Sequence, residues 1–178
     1  MAWTSPMTAV ANDVFTAAQF NTHVRDNLLE TAPAKATTDG GMFFATGANA
    51  IAERVPTTAT VATSESTTST SYTDLSTAGP AVTVTTGTRA LVFISADAQN
   101  DAAGSDALYS YAVSGSTTVA AADSFGSFLE SSGSRRHRWT VASMQTGLTA
   151  GSNTFTMKYR VSANTGTFQN RNIVVVPM

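Results

Sequence analysis

Residues 153–177, NTFTMKYRVSANTGTFQNRNIVVVP, decide how the chain is read. Phe155, Met157, Tyr159 and Val161 fall on one side of an extended backbone, with Thr154, Thr156, Lys158 and Arg160 on the other, which is the two-residue period of a half-buried strand. Helical spacing would scatter those apolar positions around the axis. Residues 162–166 supply turn chemistry, and residues 167–176 return as a second strand whose end, residues 173–176, is apolar on both faces and so predicted to be buried. The two are predicted to pair as a hairpin that closes a β domain.

Upstream the same pattern repeats in short runs. Residues 81–86 alternate through Val82 and Val84, residues 89–96 carry the run Leu91, Val92, Phe93, Ile94, and residues 108–113 alternate through Tyr109, Tyr111 and Val113. Further strands are predicted at 117–122, 125–129 and 138–144, the last around Trp139 and Val141. Glycine turns separate them at 86–88, 114–116, 132–134 and 150–152. Seven or eight strands spaced by roughly 8 to 12 residues predict a mainly β protein, an antiparallel β-sandwich of jelly-roll-like type occupying residues 72–178. No tandem repeat points to a solenoid or a propeller.

Residues 1–38 read as an arm followed by one short α-helix. In the arm, Trp3, Pro6, Met7, Val10 and Val14 are apolar points in a polar thread. Thr16 and Gln19 make a T-x-x-Q capping box, Phe15 and Phe20 the matching staple, and Ala17, Phe20, Val24, Leu28 and Leu29 an apolar stripe, so a helix is predicted over 16–30, ended by Pro33. A helix this short does not hold itself in water, so the stripe must pack on something, which in an N-terminal segment can be another chain. Residues 39–71 read as a β-hairpin (GGMFFATGANAIAERV, 40–55) and a Thr/Ser-rich extended connector (PTTATVATSESTTSTS, 56–71) held against a neighbour, with Val61 opening a first strand.

The composition narrows the function classes. Apolar residues make up 42% of the 178 positions but charged residues only 12%, about half of the roughly 25% usual in soluble proteins. A surface poor in Lys, Glu and Asp suits contact with other subunits. A net charge of −2 gives no electrostatic reason to bind nucleic acid or insert into an anionic membrane. There is no cysteine, hence no disulfide, thiolate nucleophile or Cys-ligated zinc. No apolar run is long enough to span a bilayer and no secretory signal stands out, so the chain is expected to be made in a cytoplasm and used without export.

With these residues in view, the chain resembles virion structural proteins of tailed bacteriophages, those of actinobacteria especially. The resemblance rests on the opening Trp3, Thr4, Pro6 followed by the helix segment NTHVRDNL at 21–28, and on the hairpin at 40–55, where Gly41 stands in place of the usual Asp. Residues 70–96 and 148–177 are similar to a β-sandwich module of the same kinds of protein. The resemblance implies docking on the particle through Trp3, Phe15, Phe20, His23, Val24, Arg25 and Leu28, with His23, Arg25 and Asp26 as a polar face. It also implies a homo-oligomer, a trimer, located on the virion surface. The partner is the phage major capsid protein for a capsid decoration protein or short head fibre, the reading favoured here because no coiled coil or long repeat provides reach. Tail proteins are the partner for a minor tail or tail-fibre protein.

Chemistry is sparse. His23 and His137 are the only histidines, and neither has the partners of a zinc site or a Ser-His-Asp triad. Asp97, Asn100, Asp101 and Asp106 gather oxygen ligands without the calcium-loop spacing of an EF-hand, and a solvated loop explains them. Arg135, Arg136 and Arg138 beside Trp139 form the one basic cluster, read as a contact to a ligand such as a host surface glycan or to a neighbouring subunit. Tyr109 and Tyr111 could join Trp139 as a sugar-stacking face, but packing in the sandwich core explains the same alternation. No enzyme, cofactor or metal site is expected.

Overall fold

The computed structural model describes residues 3–128 and 135–178. Two compact units follow one another along the chain, Met1–Val55 and Pro56–Met178.

In the first unit the local signals act as their chemistry dictates. Thr16 Oγ1 accepts from the Gln19 amide at 3.2 Å, and Gln19 Oε1 accepts from the Thr16 amide at 2.8 Å, a reciprocal capping box that opens α1 (Ala17–Phe20). The rings of Phe15 and Phe20 meet edge-on at 6.2 Å, completing the staple. The path then passes through a π-helical turn, Asn21–Arg25, into α2 (Asp26–Leu28). The uninterrupted helix expected over 16–30 is thus an α–π–α path ending at Leu28, and the widened turn contains His23, which contacts the arm. Pro33 sits in the first turn of a further short helix, α3 (Ala32–Lys35), where its missing N–H costs nothing. The predicted hairpin is present as β1 (Met42–Gly47) and β2 (Ala50–Arg54), antiparallel in the register Met42 to Arg54, with Asn49 at φ 55° in the turn.

The second unit is an antiparallel β-sandwich. Its strands are β3 (Thr57–Val61), β4 (Glu65–Thr67), β5 (Ala81–Thr86), β6 (Arg89–Asn100), β7 (Ala107–Gly115), β8 (His137–Thr146), β9 (Gly151–Val161) and β10 (Gly166–Pro177). One sheet has the order β3-β10-β6-β8, with β4 also on β10, and the other has β5-β9-β7. From β5 onward each successive strand changes sheet, and the last two strands end up between earlier ones, which is jelly-roll wiring.

Three expectations change here. Residues 153–161 and 167–176 are strands, but they do not pair as a hairpin: β9 lies central in one sheet and β10 central in the other. Period-2 alternation reports which face is buried and is silent on which strand is the neighbour. The strands expected at 117–122 and 125–129 are reduced to single bridges, Val119 with Val113 and Ser127 with Tyr109, around a 3₁₀ turn at Asp123–Phe125. Leu129 and the turn expected at 132–134 lie outside the described residues. Finally, the sandwich begins before residue 72, because the Thr/Ser-rich stretch supplies β3 and β4; Thr suits a pleated surface regardless of low complexity.

The core lies between the sheets. Val92, Ile94, Tyr109, Tyr111, Phe155, Met157, Tyr159, Phe168, Ile173 and Val175 are each at most 1% exposed, and burying each such side chain contributes about 1.5–3 kcal/mol. Val174 and Val176, expected to be buried, are only half-buried on the outer face. The most unusual core member is Arg171, 0% exposed. A bulge between Gln169 and Asn172, with Asn170 at φ 48°, turns it inward. Its guanidinium meets Glu65 Oε2 and Thr63 Oγ1 at 3.1 Å each, donates to the Thr77 carbonyl at 3.2 Å, and lies 5.4 Å from the ring centroid of Tyr159.

Candidate docking surfaces and a polar cleft

The N-terminal unit folds around a polar clamp and leaves its apolar face outside. Asn27 is buried and bonds the arm reciprocally: the Thr4 amide donates to Oδ1 and Nδ2 donates to the Thr4 carbonyl, both at 2.9 Å. One helical turn earlier, His23 Nδ1 lies 3.1 Å from the Ser5 carbonyl. Side chains at i and i+4 on one helix therefore hold two successive arm residues. In the sequence, an Asn in a short helix carries no mark of a partner 23 positions away.

The docking residues expected from the resemblance divide accordingly. Phe20 is 48% exposed and Leu28 61%, with Trp3, Phe15 and Leu29 also exposed and Val24 half-buried. Arg25 is exposed and pairs with its neighbour Asp26 at 2.7 Å, a contact of small energetic weight. His23 is engaged with the arm and lies half-buried. The capped and stapled helix thus keeps several large apolar side chains exposed.

On the sandwich, the outer face of the larger sheet carries a second apolar area. Leu91 stands opposite Met144 and Val176, and Phe93 opposite Ala142 and Val174, on the face opposite the buried Val92 and Ile94. These six side chains range from half-buried to exposed and none is charged. The β8 end of this sheet bears the expected basic cluster. Arg138 Nη1 approaches Asp97 Oδ1 at 3.7 Å, Trp139 is 57% exposed, and Arg135 and Arg136 are exposed just before the strand. Tyr109 and Tyr111 are core residues, so neither joins Trp139 in a sugar-stacking face; the Tyr109 hydroxyl instead donates to the Trp139 carbonyl at 2.7 Å.

The acidic loop ties turns together. Asn100 Nδ2 donates to the Asp106 and Ala163 carbonyls at 3.1 and 2.9 Å, Asp101 Oδ1 accepts from the Thr165 amide at 3.0 Å, and Asp97 Oδ2 accepts from Asn170 at 2.7 Å. Among the described residues no group of three or more His, Asp or Glu side chains is placed to hold a metal ion, and no helix is long and apolar enough to cross a membrane.

The other sheet carries a cleft of about 780 Å³ on its outer face. Ala112 of β7 and Lys158 and Arg160 of β9 form its floor, and residues 70–74 and 120–123 its walls. Both walls are fixed. Thr73 exchanges two 3.0 Å backbone bonds with Tyr159, and Ser110 Oγ donates to the Ala122 carbonyl at 2.7 Å. Arg160 grips Asp123 with two bonds, Nε to Oδ1 at 3.1 Å and Nη2 to Oδ2 at 2.6 Å, while the Tyr72 hydroxyl donates to the same Oδ1 at 2.8 Å. Lys158 Nζ meets Asp74 Oδ2 at 2.6 Å. The Arg160 bonds, then that of Tyr72, hold the Asp123 carboxyl below its ordinary range. Burial, followed by the adjacent Asp123 carboxylate, pushes the Tyr72 phenol up, so it stays a donor. Lys158 and Arg160 were legible as the polar face of a strand; Tyr72 and Asp123 had no sequence signal, since they arrive from distant segments.

No family model and no curated protein matches this sequence. Among solved structures it is similar to the VP2 subviral particle of infectious bursal disease virus, with a TM-score of 0.50 and 12% identity over 75% of this chain and 36% of that one. It is also similar to the structure of the Gt strain of the same virus, with a TM-score of 0.50 and 9% identity over 75% of this chain and 37% of that one. The chain thus spans little more than a third of the solved chains it matches. At such identities the likeness is one of fold, and it agrees with the antiparallel β-sandwich described above.

Proposed function

We propose that this chain is a non-enzymatic virion structural protein that docks on its particle through the N-terminal unit and displays the β-sandwich as a homo-oligomer. The observation that carries the reading is the capped, stapled helix whose Phe20 and Leu28 remain about half exposed. An apolar stripe on so short a helix gains its stability from a surface that covers it. The fold likeness to virus particle proteins supports the same reading.

The finer assignment is a capsid decoration protein or short head fibre of a tailed phage, bound to the major capsid protein and assembled as a trimer on the virion surface. The uncharged patch around Leu91, Phe93 and Met144 is suited to contact with a second copy, since interface cores are depleted in charge. The second reading is a minor tail or tail-fibre protein with a role in binding a host receptor, favoured by the polar cleft over β7 and β9. The test is incorporation of full-length Phe20→Asp/Leu28→Asp protein into particles. Loss of incorporation with an unchanged melting temperature supports docking through the helix; normal incorporation removes it.

A further inference from the structure

The cleft floored by Ala112, Lys158 and Arg160 has a composition that selects its ligand. Its charges cancel within hydrogen-bond distance, Lys158 against Asp74 and Arg160 against Asp123. An anion entering it would meet two carboxylates, and a cation two basic groups. An apolar ligand would strip water from four charged side chains and return no hydrogen bonds. A group that donates and accepts at once is suited to such a lining, and adjacent hydroxyls on a ring can bond to the acid and the base of one pair together.

Shape supports the same conclusion. Ala112, Ala120, Ala121 and Ala122 leave room beside the ion pairs, and the cleft, of about 780 Å³ and open to solvent over most of its mouth, suits one face of a ring whose other face stays in water. The hydrogen bonds that fix both walls mean that little has to be ordered on binding. We infer that this cleft binds a neutral sugar of a surface glycan, with the Arg160–Asp123 and Lys158–Asp74 pairs bonding to its hydroxyls. The inference stands apart from the docking role of the N-terminal helix and holds for a head or a tail location.

The test is a titration of full-length, ¹⁵N-labelled protein with the methyl glycosides of glucose, galactose and mannose and with N-acetylglucosamine at tens of millimolar, in parallel with glucuronate and inorganic phosphate. The expected result is saturable amide shifts at residues 71–74 and 120–123 with at least one neutral sugar. In Ala112→Gln, which fills the floor, and separately in Ala121→Gln, which fills a wall, affinity should fall at least about tenfold, the equivalent of roughly 1.4 kcal/mol. Shifts with glucuronate or phosphate alone would overturn the neutral class. Absence of shifts in the cleft with every neutral sugar, or binding unchanged in whichever of the two variants folds, would overturn the site.

Discussion

Asn27 and Thr4 bond each other twice at 2.9 Å across 23 positions of sequence, so that one helical side chain stands in for a strand partner and pins the arm. This clamp determines what the apolar face of the N-terminal unit presents, because the arm carrying Trp3 is held against the helix carrying Phe20 and Leu28. Asn27→Ala leaves the Thr4 amide and carbonyl without their partner. Each lost bond costs about 0.5–1.5 kcal/mol. Hydrogen exchange should show faster exchange at Thr4, with protection in β6, β9 and β10 unchanged; an unaltered Thr4 amide would show that the clamp does not hold the arm.

The apolar stripe makes a separate prediction. Leu28→Ala, at a position 61% exposed, should leave the melting temperature of the free protein nearly unchanged, whereas Phe20→Ala also removes the edge-on contact with Phe15 and should loosen the start of the helix while leaving the sandwich intact. Because each is already about half-buried, covering the remainder on docking would contribute about 0.7–1.8 kcal/mol, so each truncation should weaken binding to particles roughly three- to twentyfold. A pull-down series against particles lacking the protein measures this directly. Equal binding of the variants would place the contact elsewhere.

Arg171 fastens three segments of the sandwich from inside the core. It is wholly buried with Glu65 at 3.1 Å, and its guanidinium joins β10 to β4 and to the Thr77 carbonyl. Arg171→Met removes the guanidinium's bonds to Thr63, Thr77 and Glu65, and leaves a Glu65 carboxylate that is partly exposed and still bonded by Thr77, so it should lower the midpoint of denaturant unfolding. A double change with Glu65→Gln should recover part of the loss. If Arg171→Met costs less than about 1 kcal/mol, the network is not a fastening of the fold.

Glu65 gives the acid limb its sign. The Thr77 hydroxyl, followed by the Thr77 amide and Arg171, holds its carboxyl below the ordinary 4.5, against the opposing effect of burial. A carboxylate with a depressed folded pKa binds fewer protons folded than unfolded as acid is added. Its contribution is therefore present above the ordinary range and lost as pH falls through the folded value. Glu65→Gln should be less stable than the parent at neutral pH, and the gap in melting temperature should narrow between about pH 5 and pH 3. A gap that stays constant would mean that Glu65 does not titrate with unfolding.

The parts of this structure legible in the sequence are those set by neighbours along the chain. Thr16 and Gln19 cap a helix, residues 40–55 fold back on themselves, and Phe155 to Val161 alternate into the core. Partners across the fold were not legible. Alternation in β9 assigned its faces correctly, yet β9 and β10 part into different sheets, because jelly-roll wiring joins each to strands more distant in sequence. The bulge at Asn170 shifts the alternation between Phe168 and Arg171, so that Phe168, Arg171, Ile173 and Val175 all face the core, and a period of two does not announce such a shift. The cleft was invisible for the same reason: Tyr72, Asp123 and Arg160 meet only in three dimensions.

The measurement that tests the central claim most directly is immunogold labelling of purified, intact particles with antibody raised against the β-sandwich, alongside particles whose copy carries Phe20→Asp/Leu28→Asp. The account predicts label on the outer surface of the parent particles, spread over the head for a decoration protein or head fibre, and loss of label in the variant. Unlabelled parent particles that also lack this chain by mass spectrometry would contradict a virion role, and full labelling of the variant would contradict docking through the helix.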